Sequence, residues 1–175
     1  MLLICTASNG HNLRIARMIL AQCEHLDIDA DLIDLTTIDL PLYSPLMEKE
    51  VGRPYALDAL EIAFSKATCF AICAPEYNGS IPPVLTNAIA WLSVAGSNFR
   101  ALFTGKPTIL ATRSGGHGQK VLIAMRIQMS HLGCVVIGRD LVARDDSPLS
   151  ESSIRKGLIV VKRLLVGDKE TSTGE

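Results

Sequence analysis

TCFAICA-PEYNGSIPP-VLTNAIAWL, residues 68–92, decides how the rest of the chain is read. Thr68–Ala74 is a continuous apolar run of strand length, the pattern of a strand buried on both faces. Val84, Leu85, Ala88, Ile89 and Leu92 then recur at helical spacing. Pro83 suits a first helical turn, where its missing N–H costs little. Between the two lies a loop of Pro, Glu, Tyr, Asn and Gly. A strand feeding a helix through such a loop is where open α/β sheets place ligands. The loop also carries groups that grip a flat polar ring: backbone amides freed by Gly79, the face of Tyr77 and the amide of Asn78.

Working outward, the alternation repeats. Met1–Cys5 is a first buried strand, followed by the polar loop Thr6–Asn12 and a helix on Leu13, Ala16, Leu20 and Cys23, for which Asn12 is the expected cap. Asp31–Leu35 reads as a second strand. Thr36–Pro54 has no clear period, yet Leu40, Leu42, Tyr43, Leu46 and Met47 make it too apolar for a free linker. It is expected to pack on the domain or on a second subunit. Tyr55–Lys66 reads as a helix. Pro107–Arg113 is a fourth strand, Ser114–Gly118 opens a helix on Val121, Leu122, Met125, Met129 and Leu132, and Cys134–Ile137 is a fifth strand. Ser150 caps a last helix with Ile154, Leu158, Val161 and Leu165. Residues 1–166 read as one domain and 167–175 as a polar, frayed tail. Five strands alternating with five helices predict an α/β three-layer sandwich, a parallel sheet covered on both faces.

Composition narrows the function. With 175 residues the chain suits one domain, and 48% hydrophobic against 5% aromatic residues makes its core aliphatic. A net charge of −1 and a pI near 6.4 give no footprint for nucleic acid or an anionic membrane. No apolar run reaches membrane-spanning length, and no basic segment precedes the first strand, so a cytoplasmic location is expected. Cys5, Cys23, Cys69, Cys73 and Cys134 show no CxxC spacing and read as reduced core residues; no metal site is expected.

In a parallel sheet every strand-to-helix loop emerges at the carboxyl edge. The loops after strands one, three and four, Thr6–Asn12, Pro75–Pro82 and Thr112–Gly118, are therefore neighbours, and all three are rich in Gly, Ser, Asn and Thr. The first fits a phosphate: Ser8 and Asn12 offer side-chain donors, Gly10 opens the backbone, and a helix N-terminus adds its dipole. Asn9 and His11 complete that loop, which equally reads as an ordinary capped turn. It is neither GxGxxG nor GxxxxGK[ST], so a dinucleotide Rossmann site and a nucleotide triphosphatase are unsupported. Gly115 and Gly116 allow N–H groups to approach the carbonyl oxygens of a heterocycle. Glu76 reads as a ring-orienting or structural group, or as an acid or base. Arg113, at the end of a strand, reads as a contact for an anionic substrate or as a side chain that faces solvent, and His117 as a proton donor or a surface side chain. Trp91 reads as packing or interface.

PEYNGSIPPVLTNAIAWL at Pro75–Leu92 resembles PEYNGSIPGVLKNAIDWLS of the NADPH-dependent FMN reductase family. The likeness extends to LPLY at Leu40–Tyr43, GKP at Gly105–Pro107 and SGGHG at Ser114–Gly118, and so to nearly the whole chain. It implies a flavodoxin-like five-stranded sheet in order 2-1-3-4-5, FMN at the carboxyl edge, NAD(P)H as co-substrate and a homodimer or homotetramer. It further implies hydride passage from NAD(P)H to FMN and then electrons to a small-molecule acceptor such as a flavin or quinone. FMN carries the chemistry, and no catalytic side chain is assigned. By position, Pro75, Glu76, Tyr77 and Asn78 line the isoalloxazine, and Ser114, Gly115 and Gly116 lie at its pyrimidine side. Ser8, Asn9, Gly10, His11 and Asn12 take the phosphate.

The first loop departs from the family. Thr6–Asn12 is two residues shorter than GSxRxxSxN and lacks its Arg, which brings it closer in length to a flavodoxin phosphate loop. Pro83 replaces a Gly and Ala90 an Asp. Two alternatives follow from the short loop: a flavodoxin-like electron carrier, and a flavodoxin-like binding protein without flavin.

Overall fold

The structure, a computed structural model, describes residues 1–171, and the side chains of 1–166. Among the described residues there are six strands and six α-helices, in the order β1 (Leu2–Thr6), α1 (His11–His25), β2 (Ala30–Asp34), α2 (Pro45–Val51), α3 (Tyr55–Lys66), β3 (Cys69–Cys73), α4 (Pro83–Ser93), β4 (Pro107–Arg113), α5 (Gln119–His131), β5 (Val135–Val136), β6 (Leu141–Ala143) and α6 (Glu151–Thr171). The parallel sheet runs β2-β1-β3-β4-β5, the flavodoxin-like order, with β6 also paired to β4.

The continuous apolar runs LLICT and CFAIC became β1 and β3, and every residue of both is buried. Their side chains alternate between two cores, as a pleated strand requires. Leu3, Cys5, Phe70, Ile72 and Leu110 face α3, α4 and α5, where Phe64, Phe70 and Phe103 meet at ring-centroid distances of 5.2–6.2 Å. Leu2, Ile4, Ala71, Ile109 and Ala111 face α1 and α6 through Ile15, Ile19, Ile154 and Leu158. The three expected layers are present, and the loops after β1, β3 and β4 hang from strands gripped on both sides.

Two regions differ from the sequence reading. The fifth strand is split: Val135–Val136 pairs with Pro107–Thr108, and after an excursion around Gly138 the segment Leu141–Ala143 pairs with Ala111–Arg113. The second piece is parallel too, so the loop after it, Arg144–Ser150, also lies at the carboxyl edge, beside the loop after β4. Thr36–Pro54 contains α2, whose Ser44 side chain accepts the Met47 N–H at 3.0 Å. The segment packs on its own domain. Asn87 accepts the Tyr43 N–H at 2.7 Å, Trp91 donates its indole N–H to the Pro41 carbonyl at 2.7 Å, and the Tyr43 and Trp91 rings meet edge to face. Trp91 is therefore core packing. Ser150 accepts the Ser153 N–H at the start of α6, and α6 continues beyond 166 to Thr171; residues 172–175 of the expected tail lie outside the described part.

All five cysteines are free and buried. Burial pushes every thiol above its ordinary range, Cys5 and Cys23 to about 12. An unfolded thiol ionises from about pH 8.5 while these ionise at higher pH, so the folded state holds more protons there and loses stability as pH rises further. We expect no thiol to react with a disulfide reagent in the native protein below pH 8, and all five to react in urea. Rapid native labelling of any one would contradict this packing.

Candidate functional site

The carboxyl-edge loops after β1, β3 and β4 are fastened into one frame by buried polar side chains. The first fastener is Asn12, only 2% exposed inside the first turn of α1. Its amide donates to the Arg113 carbonyl at 3.0 Å and accepts the Arg113 N–H at 2.9 Å, so it pairs with the last residue of β4 as a strand neighbour would. The expected cap role goes elsewhere: Gly10 occupies the cap position, without a side-chain bond. The reason is competition, since β4 ends in a backbone pair that the sheet leaves unsatisfied and Asn12 lies beside it.

The second fastener is a run of hydroxyls with fixed proton directions. Thr112 Oγ1 lies 2.7 Å from the Ala74 carbonyl, so its one proton goes there. The 3.2 Å contact between Thr112 and Ser114 must then be a donation from Ser114. Ser114 Oγ in turn accepts the Glu76 N–H at 2.7 Å. The loop after β4 is thus tied to the loop after β3 through two buried or half-buried hydroxyls. Thr6 shapes the first loop similarly, its hydroxyl donating to the Ser8 carbonyl at 2.8 Å.

These bonds show which groups remain open. In the first loop the Ala7 N–H is spent on Cys73, but the first turn of α1 has no side-chain cap, so the N–H groups of residues 10–13 have no intrahelical or capping partner. In the second loop Tyr77 and Ser80 exchange both backbone bonds, at 2.9 and 3.0 Å, around Asn78 and Gly79, whose φ values are +50° and +76°. That is a tight turn of the type that requires two left-handed residues, which Asn and Gly tolerate best. It spends the N–H groups of Tyr77 and Ser80 and leaves those of Asn78 and Gly79 at the tip, beside the half-exposed Tyr77 ring. In the third loop a Cβ added at Gly115 or Gly116 would meet nothing within 4 Å, as at Gly10. Packing therefore does not require those glycines to be small.

The candidate residues divide accordingly. Ser8, Asn9, Gly10 and His11 lie together at the start of α1, half-buried to exposed, with Asn12 behind them facing the sheet. Pro75, Glu76, Tyr77 and Asn78 form the rim over β3, with Ser114, Gly115 and Gly116 opposite. Sequence reasoning missed the loop after β6. Arg144, Asp145 and Asp146 line a recess with Ser114, Gly115, Gly116 and His117, and Arg113 forms an ion pair with Asp145. Beyond it Arg126 donates to Asp140 at 2.6 Å between α5 and β6; burial raises the Asp140 carboxyl despite that partner. The signal that could have found the loop is the charged RDD cluster following the apolar triplet LVA.

The NADPH-dependent FMN reductase profile matches residues 1–148. The chain belongs to that family. Within the NADPH-dependent FMN reductases and their quinone-reducing relatives, it is 40% identical over 78 residues to a quinone reductase of Escherichia coli (strain K12), an alignment covering 45% of this chain and 40% of the relative. It is 32% identical over 124 residues to a 2-hydroxy-1,4-benzoquinone reductase of Burkholderia sp, covering 70% and 61%. The alignments thus span about half the length of these curated relatives. Among solved structures, the flavoenzyme NAD(P)H:(acceptor) oxidoreductase FerB from Paracoccus denitrificans superposes with a TM-score of 0.69 over 93% of both chains at 18% identity, a likeness of fold. An FMN reductase takes FMN as cofactor and NADPH as reductant, and the open donors fit that cofactor: an uncapped helix start for a phosphate, and a turn tip with a glycine edge for a ring.

Proposed function

We propose that the protein is an FMN-dependent oxidoreductase that takes reducing equivalents from NAD(P)H and delivers them to a small-molecule acceptor, a quinone or a free flavin. The observation that carries this reading is the frame itself: Asn12 and Ser114 lock three loops together while leaving the outward donors unspent. Bound FMN supplies hydride acceptance and electron delivery. Ser8, Asn9, Gly10, His11 and the backbone N–H of Asn12 bind the phosphate. Pro75, Glu76, Tyr77 and Asn78 cover one side of the ring, and Ser114, Gly115 and Gly116 present donors to its pyrimidine carbonyls, where preorganised N–H groups stabilise charge that builds on reduction. The quinone reductases among the relatives support the acceptor class.

Anaerobic mixing of the purified protein with NADPH is expected to bleach flavin absorbance near ~450 nm, followed by recolouring when a quinone is added. A bound flavin that keeps its colour with both NADPH and NADH would refute the reading. Steady NADPH oxidation with a quinone separates it from an electron carrier.

No helix among the described residues is long and apolar enough to cross a membrane. Free, buried thiols suit a reducing compartment, and we place the protein in the cytoplasm. We assign the exposed Leu42 and Leu46, beside α4, to a homodimer or homotetramer contact, tested by light scattering.

A further inference from the structure

The first loop holds no arginine or lysine, yet a phosphate monoester carries close to two charges. The structure supplies cations from other elements. His11 and Arg14 on the first turn of α1, Arg113 at the end of β4 and Arg144 after β6 line one recess, with Asp145 its one carboxylate. Arg113 is placed there by Asn12, which holds its backbone against that same helix turn. Its side chain is 16% exposed, and its two recorded partners are the Ser114 carbonyl at 3.1 Å and Asp145, whose own side chain is 85% exposed. A guanidinium has five N–H donors in a fork that fits two oxygens of one anion. Arg113 therefore keeps unused donors. Its counter-ion is a solvent-facing carboxylate, and such a pair contributes little.

We propose that Arg113 is the cationic anchor of the cofactor phosphate, and that Asp145 competes with the phosphate for this guanidinium and is displaced when FMN binds. The inference rests on the flavoenzyme reading above. It relocates the missing charge of the first loop to β4, 101 residues away in sequence. Displacement also releases the tie between β4 and the Arg144–Ser150 loop, so that loop reports whether the phosphate is in place. Arg14 and Arg144 add field without a direct contact to Arg113, and phosphate draws the guanidinium more strongly than a single carboxylate does because it offers more charge and more acceptor oxygens.

The test is a flavin titration of the flavin-stripped full chain with FMN and, separately, riboflavin, which has the ring but no phosphate. R113Q is expected to weaken FMN about 10- to 100-fold, the range for a lost charge-assisted hydrogen bond, and to leave riboflavin unchanged. D145N, a substitution at an exposed position, is expected to tighten FMN about two- to fivefold with riboflavin again unchanged. R113K, which keeps the charge but not the fork, falls between wild type and R113Q. Inorganic phosphate is expected to weaken FMN binding to wild type and not to R113Q. An FMN-to-riboflavin ratio that stays constant in both R113Q and D145N makes the pair a structural latch and overturns the proposal. So does an R113Q protein whose only change, once loaded with FMN, is a raised KM for NADPH. Wild-type protein that binds neither flavin overturns the flavoenzyme reading itself and this inference with it.

Discussion

Asn12→Ala is expected to cost about 2–6 kcal/mol of folding stability, one of the two largest losses for a single polar or glycine position near the site. The amide is almost fully buried and satisfies both backbone groups of Arg113. Removing it strands one donor and one acceptor where water has little access, at about 1–3 kcal/mol each. Neighbouring chain cannot close over them, because β4 has no further strand partner at that point except Ala143 of β6. Asn12→Asp keeps the acceptor for the Arg113 N–H but sets a carboxylate against the Arg113 carbonyl, so it does not rescue. A urea melt reads the loss directly, with an unchanged slope marking an intact denatured state. The same variant is expected to lose FMN affinity, since the α1 turn and Arg113 are no longer held together. A loss under about 1 kcal/mol would mean that a water or a shifted helix replaces the amide, and that the frame does not depend on it.

That clamp also shows what was and was not legible in the sequence. Strands β1, β3 and β4 were readable because burial on both faces leaves an uninterrupted apolar run, and LLICT or CFAIC admits few other readings. The positions of the loops followed from parallel topology alone. What stayed hidden were the polar bonds that join the loops. Asn12 looked like a helix cap because local sequence is all that a cap needs, and its true partner lies 101 residues away. Arg113 was equally readable as a contact for an anionic substrate or a solvent-facing side chain, and Asp145 had no periodic signal to place it. β6 was missed because three residues, LVA, are too few to show a period, and Gly138 breaks what would otherwise be one fifth strand. Apolar patterning encodes layers; the site is written in single polar contacts between layers, which carry no pattern.

Gly118→Ala is the companion loss, expected at about 2–5 kcal/mol. Gly118 sits at the start of α5 with φ at +66°, a left-handed conformation that costs a residue with a Cβ about 1–2 kcal/mol. The new methyl would also lie 2.6 Å from Thr112 Cγ2, too close for any real contact. Thr112 is fully buried and cannot swing away without surrendering its bond to Ala74 and the one it receives from Ser114, so overpacking adds about 1–3 kcal/mol. The two contributions can be separated. Thr112→Ser removes the clashing methyl and retains the hydroxyl, so the double variant G118A/T112S is expected to recover the steric part and keep the backbone part, a coupling a double-mutant cycle reads as a non-additive gain. Gly116→Ala is the control: its Cβ would meet no protein atom within 4 Å, so stability should move by less than about 0.5 kcal/mol. Its effect belongs to the ligand, because a methyl there enters the space given to the ring edge and FMN binding should weaken. If Gly116→Ala left FMN binding untouched while Gly118→Ala destabilised the fold, the glycines of this loop would serve packing alone and the ring would have to lie elsewhere.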